Sequence, residues 1–596
     1  MDLHLSKVEP SPDEREVVDA LLGAPQARHE HTAAGGHAAR SRRHLLLPVL
    51  QAVQSRIGWI SEGALSYVCL RLSVPPAEAY GVATFYALLS TTPRPKRVVH
   101  VCDDIACRCK GAEALCARLE KEKEQGDALF LRSPCLGLCE QAPAALVTVA
   151  GPKPSEQLLG NVTAAKGVSG VEQRLSLPQK GDASLRLLKR VGVVDPTSLD
   201  DYRAHGGYAA LRRALEIGPE AVVREVTDAK LMGRGGAAFP TGRKWDAVAK
   251  QAVRPHYLVC NADESEPGTF KDRVLMEEDP FGLIEAMTVA AYATGCERGF
   301  IYLRGEYPLA YERLAHAINA ARARGFLGER ILGRPFAFEI EIRRGGGAYI
   351  CGEETAVFNS IEGFRGEPRN KPPFPVESGL FGKPTVINNV ETLVNVLEIL
   401  RIGGPAYAAI GTPGSTGTRL FCLSGCVAKP GVYEVPFGAT LRQLLDLAGG
   451  VADGRPLRAI LLGGAAGVFV RPDELDIPLT FEGVQAAKAT LGSGVIMVFD
   501  DRVDMTDILR RIAAFFRDES CGQCVPCRVG TVRQEEALHR IQVRKTFGTA
   551  TDEMALLEEV GQAMKDASIC GLGQTAYSAI QSAVTRLRLF EGATTP

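Results

Sequence analysis

Cysteine is distributed very unevenly in this chain, and its distribution constrains the fold more than any other feature. Two groups are separated by several hundred residues: Cys102, Cys107, Cys135 and Cys139 form the first, and Cys521, Cys524, Cys527 and Cys570 form the second. In a small secreted protein 16 cysteines would predict disulfides, but in a chain of 596 residues they favour metal or redox chemistry. We therefore expect two metal-binding regions, with a third chemical region between them.

Length and charge exclude several classes of protein. A chain of 596 residues is too long for one hydrophobic core, so several domains are expected. The 69 Lys and Arg residues balance 70 Asp and Glu residues, which argues against nucleic acid or an anionic membrane as partner. The start of the chain does not resemble a secretory signal, and no run reaches the roughly 18 to 20 apolar residues of a membrane-spanning helix. We expect a cytoplasmic protein without direct membrane insertion.

The N-terminal region divides into two parts. Residues 1–44 are polar and predict a flexible arm. Histidines 29, 31, 37 and 44 in this arm could bind a metal, but a mobile basic segment is favoured because no hydrophobic periodicity surrounds them. From 45 to 89 apolar residues recur at helical spacing, interrupted by Pro75-Pro76, so a helical bundle is expected over 45–95.

The first cysteine group lies in an alternation of strands and helices. A β-branched strand runs into Cys102, with Cys107 just beyond it, and Cys135 and Cys139 follow the next strand. Two loops can thus bring four thiolates together. The spacing differs from the paired Cys-x2-Cys of zinc sites and favours a [2Fe-2S] centre, with a zinc site or scattered buried cysteines as alternatives and Cys109 as a substitute ligand.

The pattern Val-Cys-x4-Cys followed by Cys-x-Gly-x-Cys resembles the small thioredoxin-like [2Fe-2S] subunit of respiratory complex I and of related NAD-linked hydrogenases. The resemblance covers about residues 45–155 and implies a thioredoxin-like domain over 96–150. Residues 151–184, rich in Gly, Pro, Ser and Lys, have the composition of a linker.

Three loops, two of them rich in glycine, characterise the central region. They span 233–245, 260–269 and 345–355, and the last two follow apolar strands and combine glycines or amides with carboxylates. A Gly-rich loop alone is a weak signal, and clustered carboxylates usually form a solvated surface. Strand ends of open α/β sheets are nevertheless where ligands bind, so the similar endings predict one shared crevice. Its side chains suit hydride transfer, which needs positioning and no catalytic triad.

These loops, with the segments 371–375 and 388–392, closely resemble the FMN- and NADH-binding subunit of complex I and its hydrogenase and formate dehydrogenase relatives, from about residue 185 to the C-terminus. The resemblance implies that FMN is surrounded by Gly233, Arg234, Gly235, Lys244, Asn261, Asp263, Glu264, Tyr349, Gly352, Glu353, Asn388 and Asn389. It implies that NAD(H) faces Gly236, Ala237, Phe239, Glu266, Glu354, Lys371 and Phe374, with Glu266 and Glu354 as the catalytic candidates.

The C-terminal third contains a β-rich part and a helical part. Residues 416–504 resemble the ubiquitin-like insert of the same family, and 505–596 are helical by periodicity. Three cysteines on one loop, at 521, 524 and 527, with a remote fourth at 570, suit a [4Fe-4S] cluster better than zinc, which usually takes two separated pairs. The resemblance places this cluster next to FMN.

Together these features predict a multidomain α/β protein. In chain order we expect an N-terminal helical bundle, a thioredoxin-like [2Fe-2S] domain, a Rossmann-like FMN/NAD domain over 185–415, a ubiquitin-like domain and a helical [4Fe-4S] domain. The implied function is that of a diaphorase, an NAD(H):acceptor oxidoreductase that exchanges hydride between NAD(H) and FMN and passes single electrons through the clusters.

The fusion of the two complex I units into one chain resembles the diaphorase subunit of NAD-reducing [NiFe] hydrogenases (hydrogen:NAD+ oxidoreductases). The implied partners are an iron–sulfur electron-transfer subunit and the hydrogenase catalytic subunits. A NAD-dependent formate dehydrogenase or a complex I-like enzyme is the alternative context. A non-catalytic scaffold with zinc sites is an alternative of another class.

Overall fold

The computed structural model describes residues 5–25, 41–122, 128–163, 168–173 and 175–590. The N-terminal helices are α1 (Pro12–Leu22), α2 (Leu46–Ile57), α3 (Glu62–Leu72) and α4 (Pro76–Ala83). Buried apolar side chains of α1 to α4 join the main hydrophobic core of the chain. No helix within the described ranges is long and apolar enough to cross a lipid bilayer.

Helix α1 corrects the expectation of a flexible arm over 1–44. Ser11 caps the helix by accepting a hydrogen bond from the backbone N of Glu14, whose carboxylate accepts one from Ser11 N. Val18 and Leu22 are buried, so a narrow apolar stripe is enough to dock this polar helix. Of the four histidines, only His44 lies within the described residues, where its Nδ1 contacts the carbonyl oxygen of Ser41.

The second unit is a five-stranded sheet with two helices. Its elements are β1 (Arg97–Cys102), α5 (Ile105–Arg108), α6 (Ala112–Glu122), β2 (Ala128–Ser133), β3 (Ala145–Val149), β4 (Ser155–Thr163) and β5 (Ser169–Glu172). The strand order is β2-β1-β3-β4-β5, and only the β1–β2 pair is parallel. Strands β4 and β5 lie inside the predicted linker 151–184, which is therefore wrong for this stretch. Leu158 and Leu159 on β4 are buried, and pairing with β3 supplies the packing that the polar composition concealed.

The third unit supplies the crevice. Its elements are α7 (Leu199–Ala204), α8 (Ala209–Ile217), α9 (Pro219–Asp228), α10 (Thr241–Ala249), β6 (His256–Ala262), α11 (Lys271–Glu278), α12 (Pro280–Thr294), β7 (Cys296–Leu303), α13 (Pro308–Ala323), β8 (Glu339–Arg344), α14 (Glu354–Ile361), α15 (Pro375–Ser378), β9 (Thr385–Asn389), α16 (Val390–Ile402) and α17 (Gly404–Ala408). All four strands are parallel, in the order β8-β7-β6-β9.

Parallel pairing gives the third unit its functional edge. The carboxyl ends of β6, β8 and β9 lie at the same edge of the sheet, so the segments that follow them in sequence converge there. Helix α12 is almost wholly buried behind this sheet, which explains why its sequence is apolar on every side.

The C-terminal third contains a second five-stranded sheet and a group of helices. The elements are β10 (Thr418–Gly425), β11 (Gly431–Pro436), α18 (Leu441–Leu447), β12 (Leu457–Leu462), β13 (Val468–Val470), α19 (Phe481–Ala486), β14 (Val495–Asp500), α20 (Met505–Asp518), α21 (Val525–Gln542), α22 (Ala550–Ala567), α23 (Gly571–Thr575) and α24 (Ser578–Thr585). The strand order is β11-β10-β14-β12-β13, with β10 and β14 parallel. One face of this sheet packs on a hydrophobic core of its own.

Buried arginines of the third unit hold the loop that carries Cys135 and Cys139. Arg273 donates from Nε to the carbonyl oxygen of Gly137 at 2.9 Å and pairs with Glu140 and Glu277. All three charged side chains of this triad are at most 3% exposed. Arg304, directly after β7, donates to the carbonyl oxygen of Cys135. The loop is thus fixed by charges from another unit.

Replacing Arg273 by Ala should strongly destabilise the chain. The substitution leaves Glu140 and Glu277 buried without their counter-charge, which costs about 3–5 kcal/mol when one partner of a buried pair is removed. Denaturant unfolding of both proteins measures the difference. Arg322→Ala is the matched control, because Arg322 and Glu339 are 45% and 44% exposed and such pairs contribute about 0–1 kcal/mol. An equal decrease in the free energy of unfolding in the two variants would contradict a stabilising role for the buried triad.

Candidate functional site

The crevice at the carboxyl edge of the parallel sheet begins with the loop that precedes α10. Gly235, Gly236 and Ala237 are exposed there and offer backbone groups rather than side chains. A Cβ on Gly235 would lie 3.1 Å from the Cβ of Asn389, so glycine permits the loop to approach the end of β9. The loop is closed by a hydrogen bond from Gly233 N to the carbonyl oxygen of Phe239, 2.9 Å long.

A cluster of opposite charges lies at the mouth of the crevice. Lys371 Nζ is 2.6 Å from Glu354 and 3.0 Å from Glu353, and Lys244 Nζ is 3.5 Å from Glu354. Burial raises the pKa of Glu354, but Lys244 and Lys371 outweigh it and bring the pKa below its usual value. Burial lowers the pKa of Lys244, opposed by Glu354. These groups form one electrostatic unit.

Two aromatic rings accompany this charge cluster. Phe239 and Phe374 are 48% and 51% exposed, although large aromatic side chains are usually covered. The Lys244 ammonium lies 5.6 Å from the centre of the Phe239 ring. An exposed ring beside paired charges provides a flat surface on which an aromatic base can stack.

The floor of the crevice joins the loops that follow β6 and β8. Asn261 Nδ2 donates to the carbonyl oxygen of Gly352 at 2.8 Å. Burial raises the pKa of Asp263 well above its ordinary value. The Glu353 carboxylate caps α14 by accepting a hydrogen bond from the backbone N of Thr355. These contacts place the sequence-predicted residues of the two loops together.

Four further predicted residues also have their side chains engaged in holding the loops. The Arg234 guanidinium is fully buried and donates to the carbonyl oxygen of Thr416 at 2.8 Å, while the backbone N of Arg234 donates to Thr392 Oγ1, also at 2.8 Å. Glu264 accepts from the backbone N of Asp272 and Arg273 at the start of α11. Asn388 and Asn389 bind Trp245 Nε1 and Asp272 respectively, at 2.8 and 2.6 Å.

Glu266 connects the crevice to the second five-stranded sheet. Its carboxylate accepts hydrogen bonds from Ala466 N at 3.1 Å and Ser493 Oγ at 2.7 Å. Burial raises the pKa of Glu266 to about 7. Sequence reasoning missed Ser493 and Ala466, although Gly463-Gly464 and Gly492 near them were signals of closely approaching backbone.

A further unpredicted contact comes from the C-terminal helices. Glu519, directly after α20, accepts a hydrogen bond from the backbone N of Tyr349 at 2.8 Å. The Tyr349 ring packs on Phe515 of α20 with ring centres 5.0 Å apart. No local pattern marks Glu519, because its partner is 170 residues away.

The first cysteine group converges as predicted. Cys102, Cys107, Cys135 and Cys139 are buried free thiols, with Cys102 in thiol contact with both Cys107 and Cys135. Gly137 has φ +67°, and a Cβ there would meet the hydroxyl oxygen of Tyr307 at 2.1 Å, which accounts for glycine between Cys135 and Cys139. Cys109, the predicted substitute ligand, contacts Cys426.

The thiols of this group are closer than metal coordination requires. Cys135 Sγ and Cys139 Sγ are 3.3 Å apart, whereas tetrahedral bonds of about 2.3 Å separate two sulfurs by about 3.8 Å. Among the described residues no three His, Cys, Asp or Glu side chains are already arranged around a single metal ion. The donor set is nevertheless four thiols, the type that iron–sulfur clusters use.

The second cysteine group lies beside the crevice. Cys524 precedes α21 and Cys570 precedes α23. The other three cysteines of the group are close enough to Cys527 to raise its pKa electrostatically. Burial raises the pKa of Cys527 to about 12 and that of Cys570 to about 11, so metal binding must displace these protons. Tyr349 and Glu353 of the crevice are electrostatically coupled to Cys570.

The pKa of Glu266 makes a pH-dependent prediction. Because the folded chain holds this proton to about pH 7 and the ordinary value is 4.5, its stabilising contribution is complete below 4.5 and is lost as pH rises through 7. Glu266→Gln cannot titrate, so its stability relative to the parent chain should increase between about pH 5 and about pH 8. Thermal unfolding midpoints at both pH values measure this change.

Glu312→Gln serves as the control for that experiment, since Glu312 is exposed on α13. The difference in thermal unfolding midpoint between Glu312→Gln and the parent chain should be the same at both pH values. If the difference in unfolding midpoint between Glu266→Gln and the parent chain is also independent of pH, the pKa of Glu266 is not raised in the folded chain.

Protein-family models match successive parts of the chain. The thioredoxin-like [2Fe-2S] ferredoxin model matches residues 33–166, the Nuo51 FMN-binding domain 226–398, the SLBB domain 420–465, and the NADH-ubiquinone oxidoreductase-F iron-sulfur binding region 507–590. They confirm the predictions of FMN, [2Fe-2S] and [4Fe-4S] regions.

Whole proteins are similar as well. The chain is 46% identical over 404 residues to the NADH-quinone oxidoreductase F 2 subunit of Rhizobium meliloti (strain 1021), covering 67% of this chain and 95% of that protein. It is 44% identical over 400 residues to the NADP-reducing hydrogenase subunit HndC of Solidesulfovibrio fructosivorans, covering 67% and 81%. A chain of NAD+-reducing [NiFe]-hydrogenase in the air-oxidised state superposes with a TM-score of 0.78 and 33% identity, covering 93% of this chain and 94% of that one.

Proposed function

Because the chain belongs to the family of NADH-quinone oxidoreductase F subunits, we propose that it is the diaphorase module of a NAD-reducing hydrogenase. The observation that carries this proposal is the superposition over 93% of the chain, which includes the thioredoxin-like unit as well as the flavin unit. The family fixes the general chemistry, electron transfer between NAD(H) and iron–sulfur clusters through FMN. The presence of both the thioredoxin-like unit and the flavin unit in one chain favours a hydrogenase subunit over a subunit of complex I.

We assign the inner part of the crevice to FMN. The exposed backbone of Gly235, the amide of Asn261 and the buried Asp263 converge there, and they match the polar edge and phosphate of a flavin nucleotide. FMN, when bound, accepts a hydride from NADH and passes its electrons on singly. Gly233, Arg234, Glu264, Asn388 and Asn389 support this site mainly through the loop contacts described above.

The mouth of the crevice is assigned to NAD(H). Phe239 and Phe374 provide exposed rings for its adenine, while Lys371 and Glu354 provide opposite charges for its polar groups. The family resemblance assigns Glu266 to the dinucleotide, and hydrogen bonds from Ser493 Oγ and Ala466 N hold its carboxylate against the loops of the second sheet. No side chain needs to transfer a proton, so Glu266 and Glu354 act by orienting the dinucleotide.

The two cysteine groups are assigned as cluster ligands. Cys521, Cys524, Cys527 and Cys570 would hold the [4Fe-4S] cluster, and Cys102, Cys107, Cys135 and Cys139 the [2Fe-2S] cluster. We place the [4Fe-4S] cluster next to FMN, because the Tyr349 ring of the crevice packs on Phe515 of the helix that precedes Cys521. The purified chain should therefore contain FMN, iron and acid-labile sulfide, and its visible absorption should bleach with NADH. A colourless, zinc-containing protein would support the scaffold alternative.

Phe374→Ala should raise the KM for NADH about tenfold or more, because loss of aromatic stacking on a base costs about 1–3 kcal/mol. FMN content and cluster absorption should stay unchanged, since Phe374 is exposed at the mouth of the crevice. Dye reduction by NADH measures the effect. Phe547→Ala, which removes an aromatic ring that is 73% exposed near the end of α21, is the control. Equal KM values for both variants would refute the assignment of Phe374.

The acceptor enzyme is tested separately from the module. In a NAD-reducing hydrogenase the chain should co-purify with nickel-containing catalytic subunits and an iron–sulfur electron-transfer subunit, and H2 should reduce NAD+. Formate as the reductant, with molybdenum in the complex, would favour the formate dehydrogenase alternative. If neither substrate reduces NAD+, both contexts are wrong while the NADH-dependent bleaching still tests the module itself.

We also propose the domain boundaries and the cellular location of the chain. We assign 185–415 to the FMN/NAD domain with a Rossmann-like sheet, 416–504 to a ubiquitin-like domain and 505–596 to the [4Fe-4S] domain. A hydrogenase that uses the NAD(H) pool is placed in the cytoplasm, where fractionation of the source cells should recover the activity.

A further inference from the structure

A cavity outside the crevice lies where three units of the chain meet. We call it the junction cavity. It has a volume of about 80 Å³ and is lined by Gln54 and Ser55 of α2, by β1 and β3, and by the Gly345-Gly346 turn after β8. This volume is enough for several waters or for one small tetrahedral ion.

A buried histidine faces the junction cavity without a partner. His100 is 5% exposed, and among the described residues neither ring nitrogen has a hydrogen-bond partner. Val98, His100 and the strand neighbours Leu146 and Thr148 lie on one face of the sheet, and all four line the cavity. A buried polar group without a partner destabilises the folded chain, so this face favours a bound group.

The same wall carries excess positive charge. Arg94, Lys96 and Arg344 line the cavity together with a single carboxylate, Glu156, which is 2.7 Å from Arg344 Nη2. Within the described residues no acidic side chain pairs with Arg94 or Lys96. Arg94 Nε and Nη2 donate to the carbonyl oxygens of Gly58 and Leu88, which satisfy hydrogen bonding but not charge.

The nitrogen atoms that remain free match an oxyanion. Arg344 Nε is buried without a partner, and Arg94 Nη1 makes no hydrogen bond within the described residues. Burial lowers the pKa of Arg94, the direction expected for a cation without a counter-ion. Buried charges in proteins are normally paired. A cavity with three cations, one anion and an open imidazole therefore lacks negative charge.

We propose that the junction cavity binds a small oxyanion of the class of inorganic phosphate or sulfate, held by its basic wall and by His100. This anion would stabilise the meeting point of α2, β1 and the Gly345-Gly346 turn; these two glycines begin the crevice loop 345–355 but are not among the residues assigned to FMN or NAD(H). A dianion matches the formal excess of two positive charges on the wall.

Isothermal titration of the cofactor-loaded chain with inorganic phosphate, in chloride buffer of matched ionic strength, tests the proposal. One saturable site per chain is expected. Lys96→Gln and Arg94→Gln should each weaken binding about tenfold or more, the usual effect of losing a hydrogen bond to a charged group. His100→Phe removes the donor and fills the cavity, so it should abolish binding.

Arg97→Gln is the matched control, because Arg97 is exposed on the opposite face of β1 and does not line the cavity. Lys96 is also exposed, so its substitution does not disturb the core. Phosphate stabilises most proteins by exclusion from their surface, and thermal shifts alone do not identify a site. The absence of saturable heat, or equal affinity in all variants, would overturn the proposal and leave the cavity to water.

A second readout rests on the proposed function. His100 and Cys102 are two residues apart on β1 and share a face, so their Cα atoms are separated by about 7 Å. A bound dianion would oppose addition of an electron to a [2Fe-2S] centre on Cys102, and phosphate should make its potential more negative in the parent chain but not in Lys96→Gln. If no [2Fe-2S] centre is present this measurement fails, whereas the calorimetric binding does not depend on the cluster.

Discussion

The pairing of buried arginines with the Cys135 to Cys139 loop is the interaction on which the rest of the structure depends. Arg273 and Arg304 come from the unit that forms the crevice, yet their donors bind the carbonyl oxygens of Gly137 and Cys135. Since Arg304 also donates to the carbonyl oxygen of Glu264, one guanidinium connects the first thiol group to the loop after β6. The loop that carries Cys135 and Cys139 and the loop after β6 are therefore held by the same buried side chain.

The crevice shows the same dependence on distant parts of the chain. The parallel sheet brings three loops to one edge, but their final positions are set by groups from elsewhere: Ser493 on Glu266, Glu519 on Tyr349 and Thr416 on Arg234. The side chains of Arg234, Glu264, Asn388 and Asn389 are already hydrogen-bonded to protein. The backbone of the loop at Gly235 to Ala237 and the rings of Phe239 and Phe374 are exposed.

Chemistry encoded by local spacing could be predicted from the sequence. The Cys-x2-Cys-x2-Cys motif and the Gly-rich strand ends follow from the geometry of a few neighbouring residues, and their convergence in the structure agrees with that geometry. Composition was less informative: the polar segments 1–44 and 151–184 contain α1 and strands β4 and β5, because a docking partner can stabilise an element with few apolar residues. The side-chain position of Arg234 could not be foreseen, since all but one of its hydrogen-bond partners are 173 to 184 residues away.

The contact between Glu519 and Tyr349 has a consequence for how the chain can be divided. The carboxylate that fixes the loop after β8 lies beyond α20, in the part of the chain that carries the second cysteine group. A fragment ending before α20 would retain every residue of the three crevice loops and still lose the group that orients one of them. The crevice and the region of the second cysteine group are thus one structural unit, and a shortened version of this chain must keep both.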